Sequence, residues 1–195
     1  MKIHTLPVGS LQTNCYMVYA DSSDTCVMID PGAEADLLLL SARKADKKLE
    51  AIFLTHAHFD HVGAVKELAA QTGCKVYICP EDLSLTARLT GGSLHYTDTY
   101  TEGDQITAAG LTFQVMQTPG HTGGSVCLLC EDTMFSGDTL FAFSCGRTDL
   151  ASGSWAQMRS SLQRLAELPK EYTVLPGHGE ATRLSVEKQF NPYMR

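Results

Sequence analysis

Three of the seven histidines of this chain lie within six residues, in the segment HAHFDH at positions 56–61. Imidazole nitrogens and carboxylate oxygens are ligands that proteins offer to zinc, iron and manganese. Because side chains two residues apart on extended backbone point the same way, we expect His56 and His58 to face one space. The segment therefore predicts a turn that binds metal.

Asp60 and His61 stand where the chain is predicted to enter a helix, so they can approach the same space from another direction. The alternative interpretation is that Asp60 caps this helix and that the histidines are surface residues of a loop. Asp60 can serve both purposes, and the dense spacing of the histidines favours the metal-binding interpretation.

Further donors follow other predicted strands, each at a turn that contains glycine. His121 lies in TPGHT, Asp138 in SGDT and His178 in PGHG. Loops beyond strand ends are where open α/β sheets place their sites. We therefore predict that these three side chains join the metal site, although Asp138 taken alone suits a turn equally well. His4 and His95 are predicted to be ordinary histidines outside the site.

The order of the predicted elements is typical of a layered α/β domain, with strands and helices alternating in two groups. Apolar and β-branched runs predict strands at 14–20, 25–29, 51–55, 75–79, 105–108, 111–117, 126–130, 133–136 and 172–175. Helices are predicted at 33–48, 62–71 and 154–168, and a short one from Arg183.

Two of these helices carry more specific predictions. The first is expected to run through Leu37 and Leu40. In the last long helix, Ser154 and Gln157 fit a capping box. The apolar stripe of that helix is predicted to be core rather than a binding surface, and it consists of Trp155, Met158, Leu162 and Leu165.

The composition indicates one globular domain, residues 1–195, with a formal net charge of −7. A negative surface argues against nucleic-acid binding, which needs clustered cations, and gives no support for docking to anionic membranes. No run approaches the roughly 20 apolar residues of a membrane span, and the first residues lack the apolar core of a signal peptide. We expect a small-molecule partner and leave the oligomeric state open.

The seven cysteines, an odd number without a sign of export, predict free thiols in a reducing cytoplasm. Cys127 and Cys130 form a C-x-x-C pair, but residues three apart on a strand point to opposite faces. Both are therefore predicted to pack in the core rather than to bind metal or to act in redox chemistry.

The segments IDPG, LTHAHFDHVG, TPGHTGGS, FSGDTLF, CGRTD and LPGHG together resemble the metallo-β-lactamase superfamily. The resemblance is to its short, single-domain glyoxalase II-like (hydroxyacylglutathione hydrolase-like) members, and it extends over nearly the whole chain. It implies an αββα sandwich, in which two mixed sheets lie face to face with helices outside and metals at one sheet edge.

The resemblance also implies how two divalent metal ions are held, with zinc as the expected metal and iron or manganese as alternatives. It assigns the first metal to His56, His58 and His121, the second to Asp60, His61 and His178, and a bridging position to Asp138.

The implied reaction is hydrolysis of a thioester or ester by a hydroxide that two metals share, with Asp60 or Asp138 as the catalytic residue that orients it. A thiolate leaves readily, so no further protein acid is required. In CGRTD, Arg147 is a candidate anchor for a substrate carboxylate, and a structural salt bridge is the alternative.

The identity of the thiol stays open at this point. Two-domain relatives hold glutathione with a C-terminal helical extension and have an aromatic residue where this chain has Asp149. Only seventeen residues follow His178, so that extension is expected to be missing. The polar segment 88–103 suits either a lid over the site or a surface loop.

Other functions of the same superfamily fit less well. A persulfide dioxygenase would bind a single iron through His56, His121 and Asp138, and it is the main alternative. A non-catalytic metal-binding domain would be expected to lack at least one ligand, and none is missing from the sequence. The commonest zinc β-lactamases have cysteine where this chain has Asp138, and ribonuclease relatives need a basic surface.

Overall fold

Two six-stranded β-sheets lie face to face in the computed structural model, which describes residues 1–90 and 92–195. Strands β1 to β3 pair antiparallel and β3 to β6 pair parallel, so the first sheet is mixed. In spatial order this sheet contains β1 (Lys2–Val8), β2 (Thr13–Tyr19), β3 (Thr25–Ile29), β4 (Lys48–Phe53), β5 (Lys75–Ile78) and β6 (Asp98–Thr99).

The second sheet is mixed as well. Along the chain it contains β7 (Gln105–Ala108), β8 (Leu111–Gln117), β9 (Val126–Cys130), β10 (Thr133–Gly137), β13 (Thr173–Pro176) and β14 (Thr182–Arg183). Between β10 and β13, the strands β11 (Leu140–Phe141) and β12 (Ser144–Cys145) form a separate hairpin. The spatial order is β14-β13-β10-β9-β8-β7, in which β10 and β13 are parallel and the other neighbours are antiparallel.

Helices cover the outer faces of both sheets, so the predicted αββα sandwich is confirmed. Two of them, α1 and α3, pack against β4 of the first sheet, and α6 packs against the second sheet. The helices of the described residues are α1 (Ala35–Lys44), α2 (Phe59–Val62), α3 (Val65–Thr72), α4 (Pro80–Leu83), α5 (Thr86–Leu89), α6 (Trp155–Glu167) and α7 (Leu184–Phe190). None of the helices in the two described ranges is long and apolar enough to cross a bilayer.

Aromatic side chains fill the space between the sheets. The ring centroids of Phe53 and Phe113 are 5.0 Å apart, and those of Tyr16 and Phe135 are 5.3 Å apart, each pair joining one sheet to the other. Rings of this size bury more apolar surface than any other side chains, and they dominate the energetics of a core. Strands β2, β9 and β10 are buried along their whole length, which explains their continuous rather than alternating apolar character.

The two cysteines of the C-x-x-C pair lie in different layers, which confirms that they are packing residues. Cys127 belongs to the apolar cluster under α6, whereas Cys130 belongs to the cluster between the sheets. Burial raises the pKa of Cys127 to about 12 and that of Cys130 to about 11. All seven cysteines lie in the described part of the chain, and each is a free thiol.

The predicted first helix is shorter than expected, because Lys48 already begins strand β4. Its buried leucines are Leu38 and Leu39, whereas Leu37 and Leu40 face solvent. Four consecutive leucines have no periodicity, so the sequence could not show which pair is buried.

Other differences from the predicted elements are local. In α6, Ser154 accepts a hydrogen bond from the Gln157 amide as the capping box predicts, but Trp155 is 45% exposed and is not core. The indole lies in the first turn of the helix, and its ring meets Tyr193 edge-on with 5.9 Å between the centroids. Strand β1 was not predicted, because it is a largely exposed edge strand that contains Pro7.

Candidate metal centre

The seven predicted ligands meet at one edge of the sandwich. Strand β9 is antiparallel to both β8 and β10, and β10 is parallel to β13. The carboxyl ends of β8, β10 and β13 therefore lie at the same edge of the sheet. The end of β4 and the start of α2 approach the same edge from the first sheet. The donors that follow these ends are His56 and His58 after β4, Asp60 and His61 in α2, His121 after β8, Asp138 after β10 and His178 after β13.

Three buried histidines, His56, His58 and His121, form a first triad. Each offers a nitrogen, and these nitrogens all lie within 4.8 Å of one another. His58 Nδ1 and His121 Nε2 are 2.8 Å apart. The rings meet edge to face, with 4.8 Å between the centroids of His56 and either neighbour, so the nitrogens converge while the ring faces are kept apart.

Asp60, His61 and His178 form a second triad that is more open to solvent. His178 Nε2 lies 3.2 Å from Asp60 Oδ2 and 3.4 Å from His61 Nε2. The side chain of His178 is 29% exposed, whereas that of His61 is fully buried. A ligand or substrate would therefore reach the centre from the side of His178 and Asp60.

Asp138 lies between the two triads. Its Oδ2 is 3.3 Å from His121 Nε2 in the first triad, and its Oδ1 is 3.5 Å from His61 Nε2 in the second. The backbone of Gly177 approaches Asp138 so closely that a Cβ on this residue would lie 2.3 Å from Asp138 Oδ1, so only glycine fits here. The structure thus places this carboxylate where a bridging ligand would be needed.

Neighbouring groups fix which nitrogen of each histidine faces the centre. The Thr55 hydroxyl donates its one hydrogen to Asp30 Oδ2 at 2.6 Å, so it accepts from His56 Nδ1 at 3.1 Å. His61 Nδ1 lies 2.9 Å from Asp30 Oδ2, and His121 Nδ1 donates to the Arg147 carbonyl at 2.8 Å. With Nδ1 engaged, the Nε2 atoms of these three histidines face the centre and are the atoms that could ligate a metal.

Buried atoms without partners show that the donor set fits a metal. His56 Nε2, His58 Nε2 and Asp138 Oδ1 have no hydrogen-bond partner within the described part of the chain. Buried polar atoms are nearly always satisfied, so such atoms in one cluster point to a missing partner. Imidazole and carboxylate donors of this kind suit divalent zinc, iron and manganese.

The electrostatics of the centre also favour a cation. Burial and the neighbouring histidines lower the pKa of His56 strongly and that of His58 to about 4, so both rings are neutral. Burial also lowers the pKa of His61, but the carboxylates of Asp138 and Asp30 outweigh it and raise the pKa to about 9. Burial opposes ionisation of Asp60, yet hydrogen bonding to His178 and the charge of His61 hold its pKa well below the usual range.

The centre lies at the bottom of a cleft of ≈ 460 Å³. We call the ligand side chains that line this cleft the floor, which consists of His58, Asp60, His121, Asp138 and His178. The apolar side chains around it are the rim, which consists of Leu11, Phe59, Phe141 and Leu150. Ser144, Cys145 and Arg147 complete the lining.

Arg147 lies at this cleft, but its guanidinium is already engaged. It donates to both carboxylate oxygens of Asp149, at 2.7 Å from Nε and 2.8 Å from Nη2. This ion pair raises the pKa of Arg147 and lowers that of Asp149 to about 2. The structural salt bridge that was the alternative for Arg147 is therefore present, at the mouth of the cleft.

The segment 88–103 does not overhang the centre as a lid in the residues that the structure describes. None of its described residues lines the cleft, and Gly91 lies outside the described residues. Tyr100 is buried, and its hydroxyl donates to the Leu54 carbonyl. The histidines predicted to be outside the site are so, with His95 exposed and His4 hydrogen-bonded to Tyr19.

Sequence reasoning missed two buried carboxylates that hold the ligand loops. The sequence contains a pattern that could have identified Asp30, because this residue follows a strand directly, as Asp138 does, and precedes Pro-Gly. No such pattern marks Asp82: its oxygens accept from the amides of Ala57 at 2.9 Å and Gly124 at 2.8 Å, and from the Thr122 hydroxyl at 2.9 Å. Asp82 thereby joins the loop of His56 and His58 to the loop of His121.

Comparison with known proteins supports the same interpretation. The family described as "Metallo-beta-lactamase superfamily" matches residues 8–178. The hydroxyacylglutathione hydrolase GloC of Haemophilus influenzae is 31% identical over 209 residues, which cover 100% of this chain and 98% of that protein.

Three crystal structures share the fold at more than 30% identity. BLEG-1 B3 metallo-beta-lactamase is 34% identical with a TM-score of 0.89, covering 99% of both chains. ETHE1 from Myxococcus xanthus is 32% identical with a TM-score of 0.87, covering 98% of this chain and 84% of its own. TTHA1623 in a di-iron-bound form is 38% identical with a TM-score of 0.83, covering 97% of this chain and 99% of its own.

Proposed function

The chain belongs to the metallo-beta-lactamase superfamily, and from this premise we propose that it is a two-metal hydrolase that cleaves thioesters. One observation carries the proposal. Two complete triads of donors share the space around Asp138, whose carboxylate lies 3.3 Å from His121 Nε2 of the first triad and 3.5 Å from His61 Nε2 of the second. The similarity to a hydroxyacylglutathione hydrolase over the full chain supports a thioester rather than another acyl substrate.

The reaction adds water to the thioester carbonyl and breaks the C–S bond, giving a carboxylic acid and a thiol. When bound, the metals supply Lewis acidity and lower the pKa of water toward neutrality. Asp60 is held by a 3.0 Å hydrogen bond from Thr13, so its carboxylate is fixed in direction at the floor of the cleft. We assign to Asp60 and Asp138 the orientation of the attacking oxygen by hydrogen bonding. A thiolate leaves without a proton from the protein.

We propose zinc as the preferred metal, with iron or manganese as the alternatives. The first triad consists of three imidazoles, and imidazole suits zinc and iron alike. The di-iron form of TTHA1623, at 38% identity, supports iron as a realistic occupant. We also propose a small-molecule substrate and a reducing cytoplasm, since the seven thiols remain free despite their number.

A persulfide dioxygenase is the second candidate, and the similarity to ETHE1 is the observation that favours it. A single iron held by His56, His121 and Asp138 would suffice for that chemistry. It would leave Asp60, His61 and His178 without a purpose, although their ligand atoms lie within 4.8 Å of one another. The intact second triad therefore favours the hydrolase.

The deciding experiment measures metal content by mass spectrometry and activity on the same protein, purified without added metal. We expect about two metals per chain and hydrolysis of S-lactoylglutathione or of a simpler thioester. About one iron per chain, with oxygen uptake on glutathione persulfide and no hydrolysis of any thioester, would replace the hydrolase by the dioxygenase. Hydrolysis of a β-lactam such as nitrocefin, with no thioesterase activity, would also overturn the proposal.

A further inference from the structure

Four apolar side chains from four separate segments surround the mouth of the cleft. Leu11 comes from the loop between β1 and β2, Phe59 from α2, Phe141 from β11 and Leu150 from the loop before α6. Leu11 is 53% exposed, Phe59 58% and Leu150 41%. Single exposed apolar residues are ordinary, but several that line one pocket mark a surface that binds an apolar group.

The rim stands directly beside the floor. The rings of Phe141 and His178 meet edge-on, with their centroids 6.5 Å apart. Phe59 is the residue between His58 and Asp60 in the chain. A group that lies on the rim is therefore adjacent to any acyl carbon that reacts over the floor.

The charge of the cleft also favours an uncharged substrate. Among the described residues that line it, Arg147 is the one permanent cation, and Asp149 occupies its guanidinium. The floor itself contributes the carboxylates of Asp60 and Asp138. A thiol that carries carboxylates, such as glutathione, would meet no unpaired Lys or Arg side chain among the residues described around this cleft.

We propose that the rim binds the acyl chain of the substrate, and that the preferred substrates are thioesters with an apolar, uncharged acyl chain. This inference rests on the proposed thioesterase function and adds the substrate class. Each methylene that the rim shields from water contributes to binding of the chain, because burial of apolar surface is favourable. The acyl chain, rather than a charged thiol, then determines specificity.

A series of thioesters on the uncharged thiol N-acetylcysteamine tests the inference with the metal-loaded enzyme. We expect kcat/KM to rise from acetyl through butanoyl and hexanoyl to octanoyl, by about two- to threefold for each added methylene. The substitutions Leu150→Ala and Phe59→Ala should flatten this rise, so that kcat/KM increases less for each added methylene. Leu40→Ala removes a similarly exposed leucine on α1 that does not line the cleft, and it should leave the whole series unchanged.

A second measurement does not depend on turnover. Thioethers of N-acetylcysteamine with butyl, hexyl and octyl chains cannot be hydrolysed, and calorimetry gives their Kd. The Kd should fall as the chain lengthens in the native protein and in Leu40→Ala, but less in Leu150→Ala. Equal Kd values along the series would overturn the inference.

The outcomes separate the two proposals. If no thioester is hydrolysed, the proposed function fails. If thioesters are hydrolysed but kcat/KM is flat or falls with chain length, or if S-lactoylglutathione exceeds the octanoyl substrate, the thioesterase stands and the apolar acyl specificity is wrong.

Discussion

The floor and the rim of the cleft are built in opposite ways. The floor consists of polar side chains that are mostly buried, and neighbouring groups fix the directions of some of them by hydrogen bonds, as Thr13 does for Asp60 and the Arg147 carbonyl for His121. The rim consists of apolar side chains from four separate segments, and three of them, Leu11, Phe59 and Leu150, are exposed. Displacing a floor residue breaks hydrogen bonds in a buried network, whereas displacing a rim residue only changes the surface that a substrate meets.

This contrast indicates a division of labour. Reaction chemistry needs ligands held to a fraction of an ångström, and only a buried network with satisfied partners provides that. Substrate choice needs complementary surface, which exposed side chains can supply at little cost to the fold. We therefore expect substitutions at the floor to abolish turnover of every substrate, and substitutions at the rim to change the order of substrates.

The largest effect is expected from the predicted metal ligands. His56→Ala or Asp138→Ala should lower kcat/KM for every thioester by about 1000-fold or more, because a bound metal contributes several kcal/mol to the transition state. His95→Ala, which removes an exposed histidine elsewhere, should retain full activity. Circular dichroism checks that all three variants fold, and near-native turnover in both His56→Ala and Asp138→Ala would contradict the two-metal site.

The sequence predicts the floor better than the rim, and the reason is local spacing. HAHFDH places four donors on one turn, and His121, Asp138 and His178 each follow a strand at a glycine-containing turn. Both patterns can be recognised in the sequence without knowledge of the fold. Asp82 escapes prediction because its partners lie 25 and 42 residues away in the chain. The rim cannot be predicted from the sequence for the same reason, since no sequence pattern relates Leu11 to residues in three other segments.

The same difference applies to the fold. The hairpin of β7 and β8 is predicted to the residue, because Ala109 and Gly110 form a turn between two alternating runs. The exposure of Trp155 is not predicted, because its spacing along the helix matches the core stripe of Met158, Leu162 and Leu165. Periodicity shows which residues share a face, but only the packing of neighbouring elements shows how far that face is covered.

Removal of the metals tests whether they complete the floor. A chelator should abolish turnover, and zinc should restore it. The chelator should also lower the free energy of unfolding. The loss should be about 2.7 kcal/mol, or roughly 5–10 °C in Tm, if the free metal concentration was a hundred times the Kd before chelation. Differential scanning calorimetry measures the shift. The Asp138→Ala variant should show a smaller shift, and an unchanged Tm in the native protein would mean that no metal stabilises this fold.

A subtler change separates the ligands from the residues that hold them. Asp82→Asn places an amide N–H against the N–H of Gly124 or of Ala57, which weakens the tie between the two loops of the first triad. We expect the affinity for one of the two metals to fall by about 10- to 100-fold while the other is retained. Competition with a chromophoric chelator measures both affinities.

Glu187→Gln is the matched control for Asp82→Asn. Glu187 is also fully buried, and it accepts from the Phe143 amide at 2.8 Å and the Thr182 hydroxyl at 2.7 Å, neither of which belongs to the loops of His56, His58 and His121 that Asp82 joins. Its substitution should cost stability without changing either metal affinity. An equal loss of affinity in both variants would show that Asp82 acts only through general stability.

The smallest expected effect concerns the ion pair of Arg147 and Asp149 at the mouth of the cleft. Asp149→Asn removes the charge that occupies Arg147, and the freed guanidinium should attract the carboxylates of a glutathione thioester. Because the pair is fully exposed and screened by salt, we expect kcat/KM for S-lactoylglutathione to rise only about two- to threefold, and the gain to vanish in about 1 M salt. The uncharged N-acetylcysteamine series should not change. Asp21→Asn removes the same charge at an exposed site elsewhere and should have no effect on either substrate; if it reproduces the gain, net charge rather than Arg147 is responsible.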